Sequence, residues 1–290
     1  MNVAVTGASG GLGRRIAELL IETMDPTQLL LLSRTPDTLA GFEKRGASVR
    51  KASFKNPTGL KEVLAGVDRL LMISSGDVDK RLDLQRQTVA LAQQVGVQHI
   101  IYTSMAQPSA DNPSFVIPDH AGTEQAIRES GMEWTFLRNN VYAEGLVIAG
   151  TQAVASGTLL TNAGDGGTAY VTRNDCARAA AAVVTTDGHE HEAYDITGPE
   201  ALTQAELAAL LSEVTDKPVA LEQLDDDAYF DRLYDAGIPQ ETADLMASFG
   251  EATRKGFLKK VSSDLSDLTG RPATTVREVL ERNRERLRGE

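Results

Sequence analysis

The chain has 290 residues, of which 41% are hydrophobic and 24% charged, so it can bury a sizeable core; this length is long for one domain and short for two independent ones. Its net charge of -12 argues against nucleic acid or an anionic membrane as a partner, because an acidic surface repels phosphate groups. No stretch has the length of a membrane span and no signal-peptide pattern opens the chain, so we expect a cytoplasmic protein.

The N-terminus combines a strand, a glycine turn and a helix. Val3–Val5 predicts a buried strand, Gly7, Gly10 and Gly13 follow at three-residue spacing, and an apolar helical face through Ile16 comes next. In dinucleotide-binding proteins the first glycine makes the turn, the second admits a pyrophosphate, and the third allows close helix–strand packing. The helix start would then face the phosphates with free N–H groups. This pattern predicts a dinucleotide site, and the spacing is typical of short-chain dehydrogenase relatives.

Strand and helix patterns alternate along the first half of the chain, which predicts an α/β protein with a doubly wound parallel sheet. The predicted strands after the first are residues 29–32, 48–51, 70–74, 99–103, 134–137, 194–197 and 219–221. The predicted helices include residues 37–45, 57–64, 80–95, 121–130, 151–156 and 174–184, with residues 162–168 as a loop. Asn56-Pro57 and the pair Thr203 and Glu206 are predicted helix starts.

This order predicts a Rossmann fold with a smaller, mostly helical C-terminal lobe. Residues 1–150, completed by 169–200, form the predicted NAD(P)-binding lobe. Residues 151–168 and 201–290 form the predicted substrate lobe, with the ligand cleft between the two.

Arg34 indicates which dinucleotide fits. NAD enzymes usually carry an acidic residue at the end of the second strand, whereas this chain has Ser33-Arg34 there. A guanidinium can donate two parallel hydrogen bonds to a 2'-phosphate, so the sequence favours NADP over NAD. Two alternatives stay open: Arg34 is a surface residue, or it stacks on the adenine and serves both cofactors.

Two other strand ends carry candidate contacts, since ligands bind beyond the carboxyl ends of such strands. Small residues at 74–76 would let a ribose approach the backbone, and the polar run at 139–144 should lie near the nicotinamide. A plain strand-to-helix loop is the alternative for that run.

These residues together resemble the NmrA-like family of atypical short-chain dehydrogenases. The likeness rests on the glycine turn, Ser33-Arg34 and the segments Leu-Met-Ile-Ser-Ser, His-Ile-Ile-Tyr-Thr-Ser and Phe-Leu-Arg-Asn, and it covers nearly the whole chain. Within the family the chain resembles most the bacterial type-2 NAD(P)H:quinone oxidoreductases, and it is also similar to triphenylmethane reductases. The resemblance implies NADPH, or possibly NADH, as cofactor and a quinone or similar flat acceptor, without flavin or metal.

Carried onto matching positions, the resemblance implies a set of cofactor contacts. They are Gly7, Ala8, Ser9, Gly10, Gly11, Leu12, Arg34, Ser74, Ser75, Gly76, Asn139, Asn140, Val141, Tyr142, Ala143 and Glu144. One departure is Ser53, which stands where relatives often have an aspartate that contacts the adenine.

The Tyr-x-x-x-Lys pair of standard short-chain dehydrogenases is absent from the sequence. Ser104 stands where the accompanying serine is expected, but His120 and Glu124 occupy the region of the pair. Making or breaking an alcohol needs a positioned acid, which argues against alcohol dehydrogenases and sugar epimerases. A quinone accepts hydride readily and its hydroquinone can be protonated from water, so the protein has only to bring the reactants together.

Tyr142 and Asn139 are the candidate catalytic residues. Tyr142 could stack on the acceptor or donate to it, or pack between the lobes, and Asn139 could hold the nicotinamide amide or the acceptor carbonyl. His120 is expected to be a surface or capping residue, with a proton relay as the alternative. A second function stays open, that of a dinucleotide-sensing regulator that binds NAD(P) without turnover and acts on a protein partner.

Three further features have structural expectations. Arg173 and Asp175 are expected to pair with each other and orient a helix near the cleft. Asp225, Asp226 and Asp227 are interpreted as a solvated helix start. The single cysteine, Cys176, excludes an internal disulfide and is expected on a buried helix face.

Overall fold

The computed structural model describes residues 1–76 and 80–290. Within them the strands are β1 Val3–Val5, β2 Leu29–Ser33, β3 Ser48–Lys51, β4 Arg69–Ile73, β5 His99–Met105, β6 Glu133–Asn139, β7 Thr158–Thr161, β8 Gly167–Thr168, β9 Glu192–Ile196, β10 Leu202–Thr203 and β11 Ala220–Gln223. Seven of them form one parallel sheet in the order β3-β2-β1-β4-β5-β6-β9. The predicted doubly wound parallel sheet is confirmed.

The helices surround this sheet and build most of the C-terminal part. They are α1 Gly11–Thr23, α2 Ala40–Glu43, α3 Pro57–Leu64, α4 Arg81–Gln94, α5 Ile117–Glu129, α6 Glu144–Ser156, α7 Arg173–Thr185, α8 Gln204–Thr215, α9 Asp226–Asp235, α10 Gln240–Arg254, α11 Asp264–Thr269, α12 Val276–Arg282 and α13 Arg284–Arg288. In the described part of the chain, no helix has both the length and the apolar character that crossing a membrane requires.

Several helices differ from the predicted ranges. The helix predicted at 37–45 is a 3₁₀ turn, Pro36–Leu39, followed by the short α2. Helix α5 begins at Ile117 rather than at 121, because Pro118 suits a first turn and the buried face there includes polar side chains. Residues 151–156 belong to a helix as predicted, but this helix, α6, begins earlier, at Glu144. Its glycines weaken the helical pattern, and Gly150 is needed for packing, since a Cβ there would lie 2.8 Å from Leu211.

Smaller elements also differ from expectation. The predicted loop at 162–168 ends in strand β8, which pairs antiparallel with β10. Strand β11 pairs in parallel with β7, forming a second two-stranded unit of the C-terminal part. The two predicted helix starts are confirmed: Asn56 accepts a hydrogen bond from the Gly59 N–H, and Thr203 and Glu206 form a capping box.

Apolar side chains fill both faces of the large sheet and a separate C-terminal core. One face packs against α1 and α7, and the other against α3, α4 and α5. A third cluster joins α6, β7, α8 and α12, and includes Leu146, Leu211 and Leu280. A fourth cluster joins the end of β5 to α10 through Met105, Ala252 and neighbours. The carboxyl ends of the sheet strands therefore face the C-terminal helices.

Candidate functional site

A cleft of about 710 Å³ lies over the carboxyl ends of β1 to β4. Its lining residues are Thr6, Gly7, Ser9, Gly10, residues 32–34, residues 52–55, Leu60, residues 73–76, Leu84 and Glu241. Strands β1 and β4 are neighbours, although β2 and β3 follow β1 along the chain. The cleft thus lies where the strand order reverses, which is where ligands bind in open α/β sheets.

The glycine turn has the geometry that the motif requires. Gly7 has a φ of +62°, in the left-handed region that favours glycine. A Cβ on Gly13 would overlap the Gly7 carbonyl oxygen and lie 2.9 Å from the Cα of Ala8. Gly10 caps α1 without any side-chain hydrogen bond. The helix start is therefore packed tightly behind the turn, and its first N–H groups have no intrahelical partner.

The segment at 74–76 is held in place by backbone hydrogen bonds to buried side chains. The Thr103 hydroxyl accepts from the Ser74 N–H at 2.9 Å, and the Gln85 side chain accepts from the Ser75 N–H at 2.9 Å. The Arg81 Nε donates to the Ser75 carbonyl at 2.7 Å. These contacts fix the wall of the cleft that residues 74–76 form beside the glycine turn.

Arg34 lies at the outer end of the cleft. Its side chain is exposed and makes no hydrogen bond or ion pair with another described residue. The Ser33 hydroxyl donates to Ser9 at 2.8 Å and accepts from the Thr35 N–H at 2.9 Å, which fixes the backbone on both sides of the arginine. Arg34 is therefore a cation with free donors on a rigid strand end.

Ser53 and Lys55 line the same end of the cleft as Arg34. The Ser53 hydroxyl accepts a hydrogen bond from the Lys55 N–H at 3.2 Å, so it is partly engaged within its own turn. Glu241, from α10, reaches this cleft as well. No motif in the sequence pointed to Lys55 or Glu241.

The other predicted contacts lie elsewhere around the glycine turn and beyond β4. Ala8 and Leu12 are buried under the turn, and Gly11 is the first residue of α1. Residues 139–144 lie outside the lining of the cleft, at the end of β6 and the start of α6. Strand β6 is two places beyond β4 in the same sheet, so this segment continues the ligand-facing edge.

Asn139 and Asn140 are adjacent and buried, but their side chains have different partners. Asn140 donates from Nδ2 to the Leu258 carbonyl at 3.0 Å and accepts from the Val141 N–H at 2.8 Å. Asn139 donates from Nδ2 to the Tyr142 hydroxyl at 3.3 Å, and its Oδ1 is buried without a hydrogen-bond partner. A buried polar atom without a partner is costly, so Asn139 has capacity for a ligand donor that Asn140 lacks.

Arg173 pairs with Glu144 rather than with Asp175, so the expected Arg173–Asp175 pair is wrong. The Glu144 carboxylate lies 3.6 Å from the Arg173 guanidinium and accepts from the Arg173 backbone N–H at 2.8 Å. Asp175 instead pairs with Arg178, one helical turn further along α7. The two side chains point in different directions. Arg173 is the first residue of α7 and extends toward Tyr142 and Glu144, whereas the Asp175 side chain is fully buried within the protein.

Tyr142 packs on the apolar core of the sheet and lies under the Arg173 guanidinium, 4.7 Å from its carbon. Burial raises the pKa of the Tyr142 hydroxyl, which therefore stays protonated at neutral pH. Val141 and Ala143 flank it: the Ala143 N–H donates to the Val171 carbonyl, and Val141 packs with the cluster at the end of β5.

Ser104 is tied into a buried ion network. Its hydroxyl donates to Glu124 at 2.7 Å, and that buried carboxylate also accepts two hydrogen bonds from Arg138, at 3.0 and 2.8 Å. The Ser104 hydroxyl therefore already donates its proton within the protein, and the positive charge of Arg138 offsets the buried charge of Glu124.

His120 is buried, so the expected surface or capping position is wrong. Its Nδ1 lies 2.9 Å from the Tyr102 hydroxyl, which in turn accepts from the Gln85 amide at 3.0 Å. Burial lowers the pKa of His120 to about 3. The sequence suggested an exposed residue because polar side chains usually face solvent, but α5 buries His120, Thr123 and Glu124.

The burial of His120 predicts a pH effect on stability. Below its ordinary pKa of 6.5, the unfolded chain takes up a proton that the folded chain refuses down to a pKa of about 3. The free energy of unfolding should therefore decrease as the pH is lowered from about 6.5 toward 3. His120→Gln, which can keep a bond to Tyr102, should reduce the loss between pH 7 and pH 5 by about 2 kcal/mol.

Urea unfolding at pH 7 and pH 5 measures this effect. His191→Gln is the comparison: that side chain is 58% exposed and pairs with Glu133, so the change removes a surface ion pair and should not reduce the loss of stability toward pH 5. An equal pH dependence in His120→Gln and the unchanged protein would contradict the assignment.

Two remaining expectations concern structural residues. Cys176 is buried on α7 as expected, and burial raises the pKa of its thiol well above the ordinary value. Asp225 accepts from the Ala228 N–H and caps α9, in line with a helix start. Asp226 differs, because it pairs with Arg254 at 2.9 Å. Among the described residues no group of three or more His, Cys, Asp or Glu side chains could hold a metal ion.

Comparison with known proteins gives a family match along most of the chain. The model of the NmrA-like family matches residues 1–280. Quinone oxidoreductase 2 of Escherichia coli is 34% identical over 276 residues, which is 95% of this chain and 96% of that protein. An NAD(P)H azoreductase of Xenophilus azovorans is 26% identical, over 95% of this chain and 96% of that protein.

Solved structures agree with these matches. The crystal structure of the NADPH-dependent quinone oxidoreductase of Escherichia coli complexed with NADPH superposes with a TM-score of 0.93, at 34% identity, covering 97% of this chain and 99% of that chain. The Citrobacter sp. triphenylmethane reductase complexed with NADP(H) gives a TM-score of 0.88 at 33% identity, covering 97% and 99%.

Proposed function

The chain belongs to the NmrA-like family, and on that premise we propose that it is an NAD(P)H-dependent oxidoreductase. In finer terms, the proposal is an NADPH-dependent enzyme that passes hydride directly to a quinone or similar flat acceptor, without flavin or metal. Relatives named as quinone, dye and azo reductases support a small-molecule acceptor.

The observation that carries the proposal is the glycine turn at the mouth of the cleft. The close approach of Gly13 to the backbone of Gly7 leaves the start of α1 open, and no side chain caps it. A helix start of this kind binds phosphate through its N–H groups and dipole. The turn opens into a cleft of about 710 Å³ along four strand ends, which suits an extended dinucleotide.

The residues fit NADPH at both ends. Arg34 would hold the 2'-phosphate with its free donors, and residues 74–76 would contact a ribose. Asn139 has a buried Oδ1 without a partner, which suits the N–H of a nicotinamide carboxamide. When bound, the reduced nicotinamide supplies the hydride.

In this reaction the protein would position the nicotinamide and the acceptor and would exclude water from the site. Asn139 would orient the nicotinamide, and the protonated Tyr142 hydroxyl would donate to an acceptor oxygen or support the ring. Val141 and the apolar side chains Leu245, Phe249 and Phe257 pack around the buried cluster at the end of β5. An apolar wall here suits a flat aromatic acceptor, and the hydroquinone would take its proton from water.

The first experiment follows the absorbance of reduced nicotinamide in a mixture of purified protein, NADPH or NADH, and a small benzoquinone or naphthoquinone, without flavin. Protein-dependent loss faster than the uncatalysed reaction supports the reductase. NADPH binding without turnover would instead favour a dinucleotide-sensing regulator with a protein partner. Absence of both binding and turnover would overturn the proposal.

Arg34→Ala is expected to weaken NADPH binding about 10- to 100-fold, since charged hydrogen bonds to the 2'-phosphate are lost. NADH binding should change little, because NADH lacks that phosphate. Fluorescence titration with both cofactors measures the change, and equal loss for both would contradict the assignment of Arg34 to the 2'-phosphate.

A further inference from the structure

The Arg173 guanidinium is a cation without a hydrogen bond. Its side chain is 41% exposed, and none of its guanidinium N–H groups donates to another described residue. The nearest carboxylate oxygen, Oε2 of Glu144, lies 3.6 Å from Nη1, beyond hydrogen-bonding distance. That Oε2 is itself buried without a hydrogen-bond partner. Arg173 and Glu144 therefore attract each other by charge, but no hydrogen bond joins their side chains.

Two other contacts determine where the guanidinium lies. Its carbon is 4.7 Å from the centre of the Tyr142 ring, within the range of a cation–π contact. The Arg173 Cδ lies 3.7 Å from the position that a Cβ on Gly11 would take. The stem of Arg173 thus crosses the first residue of α1, and its charged end lies between the helix start and the end of β6.

The other arginines near this helix start are engaged elsewhere. Arg14 donates to the Thr38 carbonyl at 2.7 Å and stacks on Phe42. Arg15 donates to Asn174 at 2.7 Å and pairs with Glu18. Arg173 therefore has donors to spare, beside N–H groups that already favour an anion.

We propose that Arg173 is a phosphate-binding residue whose guanidinium donates to the diphosphate of the bound dinucleotide. This rests on the proposed function, because it assumes a dinucleotide at the start of α1. Glu144 and Tyr142 hold the guanidinium near that position without using its donors. A guanidinium fits a phosphate with two parallel hydrogen bonds, so little rearrangement of the stem is needed.

The proposal separates two arginines by what they recognise. Arg34 would contact the 2'-phosphate, which only NADPH carries, whereas Arg173 would contact the diphosphate, which NADPH and NADH share. Arg173→Ala should therefore weaken both cofactors by a similar factor, about 10- to 100-fold for loss of charged hydrogen bonds.

The test is a titration of NADPH, NADH and 2'-AMP against the full chain, the last having a 2'-phosphate but no diphosphate. Arg173→Ala should lose affinity for both dinucleotides and keep it for 2'-AMP, while Arg34→Ala should lose affinity for NADPH and 2'-AMP and keep it for NADH. Arg173→Gln keeps the stem over Gly11 and Tyr142, and should lose dinucleotide affinity with an unchanged melting temperature. Arg277→Ala is the matched control, at 45% exposure and remote from the cleft.

Each outcome decides the matter. Unchanged dinucleotide affinity in both Arg173 variants, with binding intact in the unchanged protein, would overturn the proposal alone. Loss confined to NADPH would also overturn it, because Arg173 would then recognise the 2'-phosphate. Failure of the unchanged protein to bind either dinucleotide would overturn the proposed function and this inference with it.

Discussion

Gly13→Ala is expected to abolish dinucleotide binding and to destabilise the fold. A Cβ at this position would overlap the Gly7 carbonyl oxygen and press on the Cα of Ala8. Both neighbours are backbone atoms, which cannot turn aside as a side chain does, so α1 must move away from β1 or the turn must open. We expect a loss of about 3 kcal/mol or more in the free energy of unfolding, among the larger effects of single substitutions. The same displacement would weaken NADPH binding by more than about 100-fold.

Gly41→Ala is the matched control. Gly41 is also helical, but nothing lies within 4 Å of a Cβ placed there. Alanine favours helix, so this change should leave binding intact and raise stability by up to about 1 kcal/mol. Urea unfolding and an NADPH titration on both variants test the contrast. Normal binding and stability in Gly13→Ala would mean that the turn is not held as closely as the structure indicates.

Asn139→Leu and Asn140→Leu form the second prediction, in which adjacent residues have opposite effects. Asn140→Leu removes two hydrogen bonds and leaves the Val141 N–H without its partner, whereas the Leu258 carbonyl still accepts from the Ala169 N–H. Leaving that buried N–H unpaired costs about 1–3 kcal/mol. Asn139→Leu removes a buried oxygen that already lacks a partner and one long contact to Tyr142, so stability should be unchanged or higher by about 1 kcal/mol.

The effect on turnover should run the other way. If the nicotinamide lies as proposed, loss of the Asn139 Oδ1 removes an orienting partner, and misplacement by about 1 Å can cost about 100-fold in rate. We therefore expect Asn139→Leu to be stable and about 100-fold slower with NADPH and a quinone. A functional site that lowers stability in this way is a common trade-off.

Melting curves and turnover measured on the two variants distinguish the roles. If Asn139→Leu proves as unstable as Asn140→Leu and turns over at the unchanged rate, then Asn139 is a structural residue and the nicotinamide lies elsewhere. If Asn139→Leu is stable but slow, its partnerless oxygen belongs to the reacting site.

Elements with strictly local patterns were predictable from the sequence. The β1–turn–α1 unit depends on Val3–Val5, three glycines and an apolar helical face, all within neighbouring residues, and the structure reproduces it. The bounds of strand β3 match the prediction residue for residue, although Val49 is the only apolar side chain within it. Helix α6 was only partly predicted, because glycine is a poor helix former. Gly150 is nevertheless needed, since Leu211 and Leu287, which are distant in the chain, leave no room for a Cβ at this position.

The alternation of strands and helices, the glycine turn and the arginine at the end of β2 could be predicted from the sequence alone, since each depends on residues close together in the chain. Which buried polar side chains find a hydrogen-bond partner depends on tertiary packing. Asn140 is satisfied by the Leu258 carbonyl, 118 residues away, and Asn139 is not. It also placed Arg173 over Gly11 rather than against Asp175. Periodicity records which face of an element is apolar, but the partner of a buried polar group depends on how distant elements pack.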